Sequence, residues 1–193
     1  SAELQKKIPA AYISLPGSLG NYLQYMHQSP LFTQLRFGKW EDILKEQVVD
    51  SLAHTPVLQY FARGIAFAGT NQPAKAKEAL ELMKTKMTEP SLKEPLAPFN
   101  AAYDGAMVAK SILEGVIAEQ QKDYKNAVTH FQNAVTAEDN LIYTEPRDWL
   151  LPARHYLGDA LIKAGKYKEA ITVLNKDLEI NPNNGWSLTG LVK

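Results

Sequence analysis

Three glycines set the frame of this chain: Gly64, Gly115 and Gly158 are each followed, twelve residues later, by an alanine, namely Ala76, Ala127 and Ala170. Four residues beyond each alanine stands a large apolar side chain, Leu80, Phe131 or Leu174. Two antiparallel helices cross closely only where one presents little or no side chain to the other, and glycine and alanine at matched heights meet that condition. Larger residues then fill the space on either side. The spacing therefore predicts one helix-turn-helix unit used three times. Local periodicity agrees. Residues 154–164 read as a helix, Gly165 breaks it, and 167–178 resume with Ala170, Ile171, Leu174 and Leu178 on one stripe. The same reading pairs 112–119 with 124–135, and 58–67 with 74–83. No run alternates apolar with polar for long enough to predict a strand.

Composition narrows the functional classes. Hydrophobic residues make up 45% and charged ones 22%, the balance of a folded chain and not of a disordered tail. Lys+Arg 21 against Asp+Glu 21 leaves no net charge, which argues against a nucleic-acid partner. The absence of cysteine removes disulfides, thiolate metal sites and cysteine nucleophiles. No apolar run approaches the roughly 18 residues that span a bilayer, and no leader-like segment is present. The chain opens Ser1-Ala2-Glu3 without Met and stops at Leu191-Val192-Lys193 on an unfinished helical pattern, so it reads as an excised fragment or mature segment. The compartment stays open: cytoplasmic, or exported or periplasmic if a leader was removed.

The unit resembles the tetratricopeptide repeat, whose recurring features are Leu-Gly, Ala-x3-Phe and a closing Pro at a period of 34 residues. The last unit carries Leu157-Gly158, Gly165, Tyr167, Ala170, Leu174, Leu178 and Pro182, and departs at Asp177, where the family usually has a small Ala. The middle unit keeps Gly115, Tyr124, Ala127, Phe131 and Ala134, with Asp139 in place of the proline. The first, around Gly64, starts its second helix at Pro73, a favourable position for proline. Gly38 and Trp40 resemble the turn and second helix of a degenerate earlier unit, and Trp186 and Gly190 the start of a further one. In detail the arrangement resembles a bacterial subgroup of such repeat proteins. The resemblance implies an all-α array stacked as a right-handed superhelix, one α-solenoid domain over 1–193. Its units fall at about 18–50, 57–90, 108–141 and 151–184, with a partial unit at 185–193. Gly64 and Gly115 stand 51 residues apart and Gly115 and Gly158 stand 43 apart, both more than one period, so inserts fall at about 91–107 and 142–150. Pro90, Pro95 and Pro98 make the first a loop, and Pro146 and Pro152 keep the second irregular.

Nothing in the sequence supports catalysis. His27, His54, His130 and His155 are scattered without metal-ligand spacing, and no GxSxG, GxGxxG or P-loop occurs. No metal and no cofactor are expected. What the resemblance implies is a non-catalytic scaffold that binds a protein or peptide along the concave face lined by the first helices. That projection selects Leu58, Phe61 and Ile65 from the first unit, Ile112, Val116 and Glu119 from the second, and His155, Asp159 and Lys163 from the third. The Lys and Asn with which chaperone-binding members clamp a terminal carboxylate are missing at the matching places in the first two units. Arg63 and Glu114, each just before a motif glycine, are expected to form a structural ion pair between neighbouring units; with Arg154 they could instead form a polar pocket. Two alternatives stand beside the peptide groove. One is a self-association or assembly module whose groove is filled by another part of its own polypeptide or by a second copy. The other is a small-ligand or enzyme role centred on Tyr143, Glu145, Arg147, Asp148 and His155 of the second insert.

Overall fold

Four helical hairpins turn in the same way. The structure, a computed structural model, describes residues 7–96, 98–145 and 147–192. Pro146 of the second insert, the opening Ser1-Ala2-Glu3 and the terminal Lys193 lie outside the described residues. Eleven α-helices and one 3₁₀ turn make up the regular structure among them, with no strand beyond an isolated Pro95–Ala101 bridge. Short α1 (Ala10–Ile13) leads into α2 (Gly17–His27), α3 (Ser29–Arg36) and α4 (Trp40–Lys45). Three longer pairs follow: α5 (Thr55–Gly69) with α6 (Pro73–Lys86), α7 (Ala102–Gln120) with α8 (Tyr124–Asp139), and α9 (Ala153–Lys163) with α10 (Tyr167–Ile180). Helix α11 (Gly185–Leu191) packs on α9 and α10.

The four turns share a left-handed residue at the same place, Gly38, Asn71, Lys122 and Gly165, with φ of 64°, 57°, 62° and 73°. In each, the next residue's N–H reaches back five residues, Lys39 to Gln34 O at 2.9 Å, Gln72 to Phe67 O at 2.8 Å, Asp123 to Ala118 O at 3.0 Å and Lys166 to Leu161 O at 2.8 Å. This is the Schellman closure of a helix C-terminus. It satisfies carbonyls that would otherwise be orphaned and aims the chain into the returning helix. At Gly165 an added Cβ would meet nothing within 4 Å, so only backbone strain opposes a side chain there. Gly165→Ala should therefore destabilise by about 1–2 kcal/mol in urea denaturation, and a neutral result would mean the turn is not left-handed.

The motif glycines are receptors for the large residues. A Cβ on Gly115 would lie 2.4 Å from the Phe131 ring, and one on Gly158 would lie 2.5 Å from Leu174 of the same hairpin. Gly64 instead receives Leu113 of the next hairpin, at 2.6 Å. The alanines Ala76, Ala127 and Ala170 are buried beside them. Each hairpin then stacks on the next, α5 on α7 and α8 on α9, through one continuous apolar core. This is an all-α, tetratricopeptide-like helical repeat fold.

Three sequence expectations need correction. Helix α7 begins at Ala102, inside the segment read as an insert, because Asp104 Oδ2 accepts from the Ala101 N–H at 2.9 Å and caps the helix early. Arg63 and Glu114 do not pair. The Arg63 guanidinium donates to the carbonyls of Leu44 (3.4 Å) and Glu46 (3.0 Å) at the C-terminus of α4, where the helix dipole favours a cation. Glu114 is served by Lys110 at 3.0 Å, His130 at 3.4 Å and Lys84 at 3.8 Å. Arg154, the third member of the suggested polar pocket, makes a bidentate bond to Asp139, at 2.8 and 2.6 Å.

Asp177 is the informative departure from the repeat pattern. It is buried at the position of a small residue, and its carboxylate accepts from Ser187 Oγ at 2.5 Å and Asn181 Nδ2 at 2.9 Å. Ser187 belongs to α11, so the carboxylate ties the closing helix to α10. Burial alone would raise its pKa, but hydrogen bonds from His155, Ser187 and Asn181 hold it below the ordinary value.

Candidate functional site

The residues projected onto the concave face divide into two groups. Leu58, Phe61 and Ile112 are fully buried, which corrects their expected exposure. The physical cause is that the chain covers its own groove at that end: α2 and α3 pack on α5, and Trp149 from the second insert inserts beside Phe61. The rings of Phe61 and Phe32 each meet Trp149 edge-on at 5.5 Å, and the indole N–H donates to Leu151 O at 2.7 Å. Trp149 falls within the segment 142–150 that the repeat spacing reads as an insert. A tryptophan between prolines in a polar run was the signal that the insert carries an anchor.

Ile65, Val116, Glu119, His155 and Asp159 line an open cleft of about 850 Å³. Its floor is apolar, with Leu35, Leu151 and Ile162 joining Ile65 and Val116, and two further tryptophans, Trp40 and Trp186, border it. The Trp40 indole lies so close to Gly69 that a Cβ there would fall 2.9 Å from the ring. Trp186, at the start of α11, keeps 49% of its surface exposed. The Arg36 guanidinium sits 4.7 Å from its ring centroid and donates to Leu150 O at 3.1 Å, so α3 and α11 meet at this border.

The polar end is a network. Lys163 bonds both Glu119 of α7 and Asp159 one turn back on α9, the latter at 2.7 Å. Burial would lower the lysine pKa, but these two carboxylates raise it, so it stays cationic. His155 Nε2 stands 3.0 Å from Asp177 Oδ2 and Nδ1 stands 3.4 Å from Arg36. Asn184 Nδ2 also stands 2.9 Å from Nε2, and together the contacts with Asp177, Asn184 and Arg36 fix the ring at the cleft wall. Tyr156 beside it stacks on Phe131 at 5.7 Å, and burial pushes its hydroxyl up to about 12.

Of the constellation Tyr143, Glu145, Arg147, Asp148 and His155, only His155 stands apart: the Tyr143 hydroxyl donates to Glu145, and Tyr143, Arg147 and Asp148 line one shallow pocket. His155 faces the cleft, whereas Glu145 and Asp148 border a different cavity and Arg147 lies over the Tyr143 ring. Asn100 binds the two inserts together instead: its side chain exchanges two hydrogen bonds with the Ile142 backbone, at 2.8 and 2.9 Å, and donates to Asp148 at 2.7 Å. Among the described residues no cluster of three or more His, Asp or Glu could hold a metal ion, and no helix is long and apolar enough to cross a membrane.

At the junction of α8 and α9, Glu138 Oε2 accepts from the Ala153 N–H at 2.7 Å. Burial raises its pKa to about 7 from an ordinary 4.5, against the pull of that N–H and of Arg154. The folded state therefore holds this proton more tightly than the unfolded chain, and stability falls as pH rises from about 4.5 to about 7. Glu138→Gln keeps an acceptor oxygen and should stabilise by about 1–3 kcal/mol at pH 8, with no gain at pH 4. His54, with its pKa lowered by burial to about 4, has the opposite slope between about 4 and 6.5, but it is common to both proteins and drops out of the difference. Equal gains at both pH values would contradict the assignment.

The hairpins and their shared groove define a helical-repeat protein. Residues 152–184 match the family model described as tetratricopeptide repeat, in keeping with the tetratricopeptide-like fold of the hairpins. At the general level that class is one of protein–protein interaction, and its members are generally non-enzymatic. Comparison with curated proteins gives no match, and neither does comparison with solved structures.

Proposed function

We propose that this chain is a non-catalytic scaffold that takes a polypeptide into the open half of its concave groove, at Ile65, Val116, Glu119, His155, Asp159 and Lys163. One observation carries the reading: an apolar floor, two bordering tryptophans and a polar end occur together in one cleft of about 850 Å³. Tryptophan and arginine dominate binding energy at protein interfaces, and a polar rim around an apolar centre is the usual anatomy of such a surface. The preferred guest is an extended segment with an apolar anchor residue near Val116 and a polar group toward His155 and Lys163. Leu58, Phe61 and Ile112 support the floor from within the core and do not touch the guest.

Peptides selected from a randomised library on the intact chain test this. Val116→Asp should weaken them at least about tenfold, whereas a charge change at His130, on a second helix, should not. Because the contact is chiefly apolar, moderate salt should change affinity little. Peptides that bind Val116→Asp undiminished would remove the groove from the account. Self-association is a second reading, favoured by the exposed apolar side chains Tyr167, Ile171 and Leu188 on α10 and α11. A molecular mass that rises with concentration in light scattering would support it.

A further inference from the structure

A second cavity, of about 230 Å³, lies where α2 meets the two inserts. Its wall includes the aromatic rings of Tyr22, Tyr25, Phe99 and Trp149. Three carboxylates, Glu94, Glu145 and Asp148, border it, and none of the described residues lining it is Lys or Arg. The imidazole of His54 completes the wall and is 4% exposed. Its Nδ1 faces Asn21 O at 3.0 Å, so Nδ1 carries the proton and donates. Burial keeps the ring neutral by lowering its pKa to about 4. Nε2 is therefore an acceptor, and it is buried without a partner in the protein. An acceptor in that position is costly unless something donates to it.

These features select one ligand chemistry. Aromatic faces attract a cation, carboxylates around the wall neutralise it, and the His54 acceptor requires that it bear an N–H. We propose that this cavity binds a protonated alkyl amine, with the ammonium held among the aromatic rings and carboxylates and one of its N–H bonds donated to His54 Nε2. The source is either a free amine or the end of a lysine side chain. The site is separate from the groove, and its failure would leave the groove reading untouched.

The test is a titration of the intact chain at pH 7 with n-butylammonium chloride, read by calorimetry and by the ¹⁵N resonance of His54 Nε2. Saturable binding with a shift of that resonance is expected, and 1-butanol and tetramethylammonium should bind at least about tenfold more weakly, since one lacks the charge and the other the N–H. Glu94→Gln, at an exposed position that should not disturb folding, should weaken butylammonium roughly fivefold to tenfold, the effect of removing one nearby charge. Asp148→Asn should do the same if it folds, and Glu94→Gln decides if it does not. Nα-acetyl-lysine methylamide binding more tightly than butylammonium assigns the site to a lysine side chain, and the reverse order assigns it to a free amine. No binding, an unmoved His54 resonance, or butanol binding as tightly as butylammonium would overturn the proposal.

Discussion

Phe61→Asp should leave no stably folded protein. Phe61 is fully buried against Trp149 in the centre of the core. Removing a buried phenylalanine side chain alone costs about 3–5 kcal/mol. The new carboxyl would also be buried with no cationic partner in the apolar cluster around it, a penalty of several kcal/mol more whether it ionises or takes up a proton. Together these rival the whole stability of a typical domain, about 5–15 kcal/mol. Ile112→Asp should behave likewise, since Ile112 is equally enclosed. Val116→Asp, one helical turn further on at the half-buried cleft wall, should remain folded. Circular dichroism of the three variants checks the contrast. A helical, cooperatively melting Phe61→Asp would mean that the groove is open along its full length.

The second large effect is expected at Trp149. With 3% of its surface exposed, it joins α3, α5 and the second insert through its contacts with Phe32, Phe61 and the Leu151 carbonyl. Trp149→Ala should cost about 3–5 kcal/mol in urea denaturation, because a large cavity opens where three parts of the chain meet. Trp186→Ala, at a half-exposed ring, should cost far less. If Trp149→Ala were as mild as Trp186→Ala, the insert would be a surface loop and the covered half of the groove would have no cover.

The hairpins were legible because glycine and alanine spacing encodes helix crossing directly: Gly115 and Gly158 sit where a Cβ would strike Phe131 and Leu174. The turn at Gly38 was legible too. What spacing does not encode is contact between parts far apart in sequence. Nothing local to Phe61 distinguishes an apolar residue facing an open groove from one covered by Trp149 almost ninety residues later. The same limit misplaced Arg63 and Glu114. Each lay where a neighbouring unit could offer a counter-charge, but the carbonyls ending α4 and the lysines of α6 and α7 were closer partners. Asp177 carried the opposite lesson. An acid in a small-residue position marks a site where hydrogen bonds replace packing, here from His155, Asn181 and Ser187.

The chain has three tryptophans, and they report on the central claim together. Trp40 and Trp186 border the open cleft, while Trp149 seals the covered half. An indole ¹⁵N–¹H spectrum, recorded while a library-selected peptide is added to the intact chain, reads all three at once. Binding in the open half of the groove predicts that the Trp40 and Trp186 resonances move in a saturable way while that of Trp149 stays in place. Saturable binding that leaves Trp40 and Trp186 unmoved, or that shifts Trp149 alone, would contradict it.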